Sequence, residues 1–153
     1  IQCCLVGSEM CIRDRGLFAA LLVPMSGVVT QGVEQDHPAL DISCRVGRPV
    51  RAAHDGVGRS RWTATHGWTF HLVGAGVKTR YSHLNAGAPA GSYDRGQIIG
   101  LCGNTGRWST GPHLHFEAEP LHLLDVLESP SAEQLKSMEQ TPQWRQRSVE
   151  ASR

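Results

Sequence analysis

GPHLHFEA, residues 111–118, alternates polar and apolar side chains from His113 onward. In an extended chain residues i and i+2 share a face, so His113, His115 and Glu117 project together. Leu114 and Phe116 turn to the opposite side. The pattern predicts a half-buried strand over His113–Ala118, anchored by its apolar face and carrying two imidazoles and a carboxylate on the other. Working outward, further short runs read as strands: Gly27–Thr30, Leu40–Ser43, Pro49–Ala53, Gly56–Ser60, Trp68–Val73, Val77–Ser82 and Ile98–Cys102. The turn signals VGRP, AHDG, VGAG, DRGQ and GNTG separate them, and Gly74–Gly76 is predicted to close a hairpin. The expectation is a mainly β fold with no interior helix.

Composition sets the frame. The chain has 153 residues, 40% hydrophobic and 19% charged, within the range of one globular domain. A formal net charge of +1 gives no bulk electrostatic argument for a nucleic-acid partner. The longest apolar stretch, residues 16–23, falls short of a membrane span. Pro24–Val126 reads as one domain of about 100 residues, a common domain size. Residues 127–153 are polar and read as a tail, disordered or partly helical, with Ser131–Gln140 as the candidate helix and Trp144 its only large apolar anchor.

Residues 1–15 are set aside. LVGSEMCIRDR (Leu5–Arg15) resembles the in-frame translation of an adapter used in sequencing libraries, so it is excluded from fold reasoning. Residues 16–23 are then expected to be the truncated remnant of whatever precedes the domain. Of the five cysteines, Cys44 and Cys102 remain. They permit one disulfide, and equally they fit as two small buried apolar residues.

The chemistry comes from combining the His113 strand with HPALD, residues 37–41. His37 and Asp41 lie where Pro38 favours a loop running into a strand, so both side chains can turn into one cleft. Imidazole and carboxylate are zinc-type ligands, and three of them with an open position is the arrangement of a catalytic zinc. The oxygen ligand disfavours softer metals. One of His113 and His115 binds the metal, and its neighbour is placed to hydrogen-bond a water there. YSHL, with His83, lies between the two patterns. The remaining histidines, His54, His66, His71 and His122, lack this context and read as exposed or satisfied in the core.

Taken in order, HPALDI, GRPVRAAHDGVG, TRYSHLN and GQIIGLCGNTGRWSTGPHLHFE resemble the lysostaphin/LytM-type zinc metalloendopeptidases of bacterial peptidoglycan. The resemblance covers Pro24–Glu119. It implies antiparallel β-sheets forming a narrow groove over one Zn2+, with His37, Asp41 and His115 as metal ligands and His83 and His113 as catalytic histidines. One of that pair would be the general base, and one or both would steady the oxyanion. It also implies Tyr81 packed near His83 beside the groove, Trp108 in the groove wall, and Glu117 as a structural hydrogen-bonding group. The chain departs from the family pattern at Ala39, often Gly, and at Arg48, often Thr; neither is a ligand.

The implied activity is hydrolysis of amide bonds in the stem peptides or cross-bridges of peptidoglycan through a zinc-activated water. The implied setting is extracytoplasmic, and the implied state a monomer whose partner is the peptide substrate. Some members of the family have lost their ligands and regulate amidases, so the alternative is a non-catalytic peptidoglycan-binding or amidase-regulating domain. All five expected positions are filled here, which favours the enzyme.

Overall fold

The computed structural model describes residues 20–129. The candidate helix Ser131–Gln140, Trp144 and the adapter-like stretch lie outside these residues.

Ten strands follow in chain order: β1 (Val29–Gln31), β2 (Leu40–Ser43), β3 (Pro49–Arg51), β4 (Gly56–Thr63), β5 (Gly67–Gly74), β6 (Val77–Leu84), β7 (Ala86–Gly87), β8 (Gly91–Tyr93), β9 (Ile98–Leu101) and β10 (His113–Glu119). One short 3-10 helix, Leu121–Asp125, comes after them. The strands form a seven-stranded sheet in the order β1-β2-β10-β6-β5-β4-β8 and a three-stranded sheet in the order β3-β9-β7. Every pairing is antiparallel. The mainly β expectation is met.

Alternation explains how the sheets stack. Along β10, Leu114, Phe116 and Ala118 are buried while His113, His115 and Glu117 are half-buried. Leu114 and Phe116 join Phe70 and Leu72 of β5 and Tyr81 of β6 in one core. Val50 of β3 and Ile99 of β9, from the smaller sheet, belong to the same cluster. The core therefore lies on one side of the large sheet, and the polar row of β10 is left on the other. Leu21 and Leu22 are also fully buried, tied in by Leu22 N–H to the Ala53 carbonyl and Glu128 N–H to the Leu21 carbonyl.

The β5–β6 hairpin has the two-residue turn Ala75–Gly76, both with positive φ (49° and 76°). That backbone matches the twist of the flanking strands, and glycine adopts it freely. Two features exceed the sequence reading. Strands β4, β5 and β6 run to Thr63, from Gly67 and to Leu84. Strands β7 and β8 lie in a stretch where two or three residues are too few to show a period. Cys44 and Cys102, left open from sequence, form a disulfide with a Cα–Cα separation of 6.5 Å.

Tyr81 differs from its expected place. Its ring is fully buried, and its hydroxyl accepts hydrogen bonds from Ala53 N–H (2.8 Å) and the Thr79 hydroxyl (3.0 Å). It belongs to the core and does not line a groove.

Candidate metal centre

Register sets the site. In the antiparallel pairing of β2 with β10, Asp41 lies opposite His115, so their side chains share the polar face. His37 reaches the same point from a tight turn in which Glu34 and His37 exchange backbone hydrogen bonds. One ligand atom each from His37, Asp41 and His115 falls within a 4.8 Å cluster.

Hydrogen bonds fix which ring nitrogens face inward. His37 donates Nδ1–H to the Gly32 carbonyl at 3.0 Å, leaving Nε2 bare. That Nε2 is buried without a hydrogen-bond partner, 3.3 Å from Asp41 Oδ1 in a geometry that makes no hydrogen bond. His115 presents Nδ1 to Asp41 Oδ1 at 2.8 Å and Nε2 to Glu117 Oε1 at 2.8 Å. Glu117 is held in turn by two nitrogens of the Arg80 guanidinium. An imidazole with one nitrogen on a carboxylate and the other facing a ligand cluster is the usual support of a metal-bound histidine.

The electrostatics say what the cluster lacks. Burial lowers the His115 pKa, but its hydrogen bonds to Asp41 and Glu117 and their charges outweigh this and raise it to about 9. For Asp41 burial acts upward, yet the His115 hydrogen bond and the charges of His115, His113 and His37 leave it below its ordinary value. The metal-free site thus draws in a proton between two ligand atoms, where a divalent cation would supply positive charge instead. An orphaned buried nitrogen, a carboxylate and a proton-holding imidazole fit zinc in both ligand type and number.

Next to this cluster, the His83 and His113 ring centroids are 4.7 Å apart. His83 is 3% exposed and sits in the left-handed region at φ 63°, a conformation that a side chain with a Cβ adopts at a cost. It donates Nδ1–H to the Thr105 carbonyl at 2.7 Å, so its Nε2 is bare. Burial first, then the neighbouring His113, His115 and His66, lower its pKa to about 4, against the raising effect of the Thr105 bond. His113 donates Nδ1–H to the Gly111 carbonyl at 2.8 Å and places Nε2 3.8 Å from Asp41 Oδ2.

All five residues singled out from sequence therefore converge, and one more joins them. His66, on the β4–β5 turn, stacks over His83 with centroids 5.9 Å apart and lies 5.9 Å from the His115 ring. Its backbone carbonyl accepts the His83 N–H. Trp108 meets the His66 ring edge to face at 4.9 Å and is 62% exposed, walling this end of the site. His54 and His71 instead bond to Thr79 and Thr69.

Comparison with known proteins places this geometry. The sequence pattern of Peptidase family M23 matches residues 35–123. A relative from Neisseria meningitidis serogroup B, the DD-carboxypeptidase/endopeptidase Mpg, is 44% identical over 87 residues, covering 54% of this chain and 20% of that protein. A zinc-containing peptidase structure from Vibrio cholerae superposes with a TM-score of 0.52 at 33% identity, covering 65% of this chain and 32% of the other. The catalytic domain of lysostaphin from Staphylococcus simulans does so with a TM-score of 0.51 at 30% identity, covering 60% and 74%. The chain thus spans a fifth of the length of the curated relative it matches.

Proposed function

Because this chain belongs to peptidase family M23, we propose that it is a zinc-dependent endopeptidase that hydrolyses amide bonds in the stem peptides or cross-bridges of bacterial peptidoglycan. The observation that carries this reading is the buried, partnerless His37 Nε2 aimed at Asp41 and His115. The relative's name, DD-carboxypeptidase/endopeptidase, supports the substrate class. His37, Asp41 and His115 would hold one Zn2+. Bound there, zinc supplies Lewis acidity that brings the pKa of water toward neutrality.

The chain's own residues divide the remaining work. Glu117, backed by Arg80, accepts the His115 Nε2–H, so Nδ1 is the nitrogen left to hold a metal once its own proton is displaced. His83 and His113 both present a bare Nε2, so each accepts a hydrogen bond from the attacking water. They differ in what a gained proton would meet. At His113 it faces the Asp41 carboxylate, while at His83 it faces three other imidazoles and burial. We therefore assign proton acceptance to His113 and orientation of the water to His83. The protonated His113 then has an Nε2–H to offer the oxyanion and to return to the leaving amine.

The working unit is taken as the domain expected at residues 24–126 extended to Leu21 and Glu128, which pair and pack against it, acting as a monomer outside the cytoplasm, where its substrate lies. The Cys44–Cys102 disulfide suits an oxidising compartment. No helix among the described residues is long and apolar enough to cross a membrane. His115→Ala tests the assignment: zinc stoichiometry and amide hydrolysis are both expected to vanish while peptidoglycan binding persists. Hydrolysis that survives the loss of zinc would overturn the metalloenzyme reading.

A further inference from the structure

The polar face of the large sheet does not end at the histidines. Cross-strand partners point to the same side, so the register carries it outward from β10. Glu117 pairs with Arg80 of β6, Arg80 with His71 of β5, and His71 with Arg59 of β4. Arg61, two residues along β4, shares the face of Arg59. A groove of about 390 Å³ opens on part of this face, lined by Pro38, His71, Val73, Lys78, Arg80 and Glu117; Arg59 and Arg61 lie beyond it on β4.

Charge changes along the face. Near the histidines its cations are matched: Arg80 by Glu117, and Lys78 by Glu119 at 3.2 Å. Beyond the groove, on β4, Arg59 and Arg61 are exposed, and among the described residues neither has a carboxylate within ion-pair distance. Their field reaches into the groove, since the His71 pKa is lowered by burial and then by Arg80, Arg61 and Arg59. The polar face of the sheet thus runs from the candidate metal centre on β10 to a pair of arginines on β4 that have no counter-ion among the described residues.

We infer that Arg59 and Arg61 form an anion subsite that binds a carboxylate of an extended acidic peptide lying across this face. The inference rests on the endopeptidase reading and specifies its substrate. Three strand spacings separate β10 from β4, roughly 14 Å, or about four residues of extended peptide. The carboxylate recognised therefore lies several residues from the bond cut. Guanidinium groups suit it, because their planar fork meets a carboxylate with two hydrogen bonds. A chain-terminal and a side-chain carboxylate offer the same chemistry, and selective amidation tells them apart.

The test measures binding by the full chain with zinc chelated, so that no substrate is consumed. Fluorescence anisotropy follows a labelled acidic stem peptide as free acid, with each carboxylate amidated singly, and fully amidated. The free acid is expected to bind about tenfold more tightly than the full amide. Arg59→Gln/Arg61→Gln should bring the acid down to the amide's affinity and leave the amide's unchanged, with circular dichroism and zinc uptake retained. The single amidation that reproduces the loss identifies the carboxylate. Equal affinity for acid and amide, or an equal loss of both in the double variant, would overturn the subsite. So would stronger competition by a polyphosphate wall polymer than by the peptide. Acid-selective binding by a chain that releases no fragment when zinc-loaded would overturn the endopeptidase reading while leaving the subsite; cleavage with no acid preference would do the reverse.

Discussion

Glu117→Ala should cost the protein zinc affinity without touching a ligand. Glu117 Oε1 takes the proton on His115 Nε2 at 2.8 Å, while Asp41 Oδ1 lies 2.8 Å from Nδ1. With Glu117 gone, the Nε2–H of a metal-holding His115 has no acceptor, and the ring loses the partner that orients it and strengthens it as a ligand. Zinc must displace the Nδ1 proton in parent and variant alike, so the difference lies in the zinc-bound state. Removing such a support typically weakens metal binding about 10- to 100-fold, or roughly 1.4–2.7 kcal/mol. The upper half of this range is expected, because the His115 side chain is only 13% exposed and water is a poor substitute partner. Glu117→Gln keeps an oxygen for His115 and Arg80 and should fall between the parent and the alanine variant. Competition against a chromophoric chelator at neutral pH measures the constants, and circular dichroism shows that the variants fold. Parental affinity in a folded Glu117→Ala protein would refute the claim that the Glu117 contact supports His115 as a ligand.

Other expectations follow from the same geometry. Zinc uptake at neutral pH should release about one proton, because the His115 pKa of about 9 must be overcome; calorimetry in buffers of different ionisation enthalpy reads this directly. The sign for the zinc-free protein is opposite to that of a depressed group. Raised above its unfolded value, His115 contributes stability in full below about pH 6.5 and loses it as pH rises through 9, so the thermal midpoint should fall over that interval. Cys44→Ser/Cys102→Ser opens a link between residues 58 apart in sequence and should destabilise by up to about 4 kcal/mol in urea unfolding. Tyr81→Phe leaves the buried Ala53 N–H without its partner and should cost about 1–3 kcal/mol in the same assay, with zinc binding unchanged.

The parts of this protein that were legible in its sequence are those governed by short-range spacing. The i, i+2 alternation of GPHLHFEA places His113 and His115 beside each other whatever the rest of the chain does. HPALD does the same for His37 and Asp41 by leading a loop into β2. His66 gave no such signal. It sits on a turn outside any period, and only the β4–β5 hairpin swings its ring over His83. Tyr81 misled because proximity to His83 in sequence did not imply proximity to the groove; Ala53 N–H and Thr79 draw its hydroxyl into the core. The disulfide was undecidable from two cysteines, since their separation depends on how β2 and β9 are brought together. The Arg59–Arg61 edge needed register across four strands, which no local window contains.

The central claim is that His37, Asp41 and His115 hold a zinc ion that makes this chain a peptidoglycan endopeptidase. The measurement that tests it most directly is mass spectrometry of fragments released by the zinc-loaded protein from purified peptidoglycans of different cross-link types, with and without chelator. The account predicts new peptide ends that disappear with chelator, and their masses identify the bond. Release of no fragment from any wall type, with one zinc demonstrably bound per chain, would contradict it and leave a binding or amidase-regulating domain.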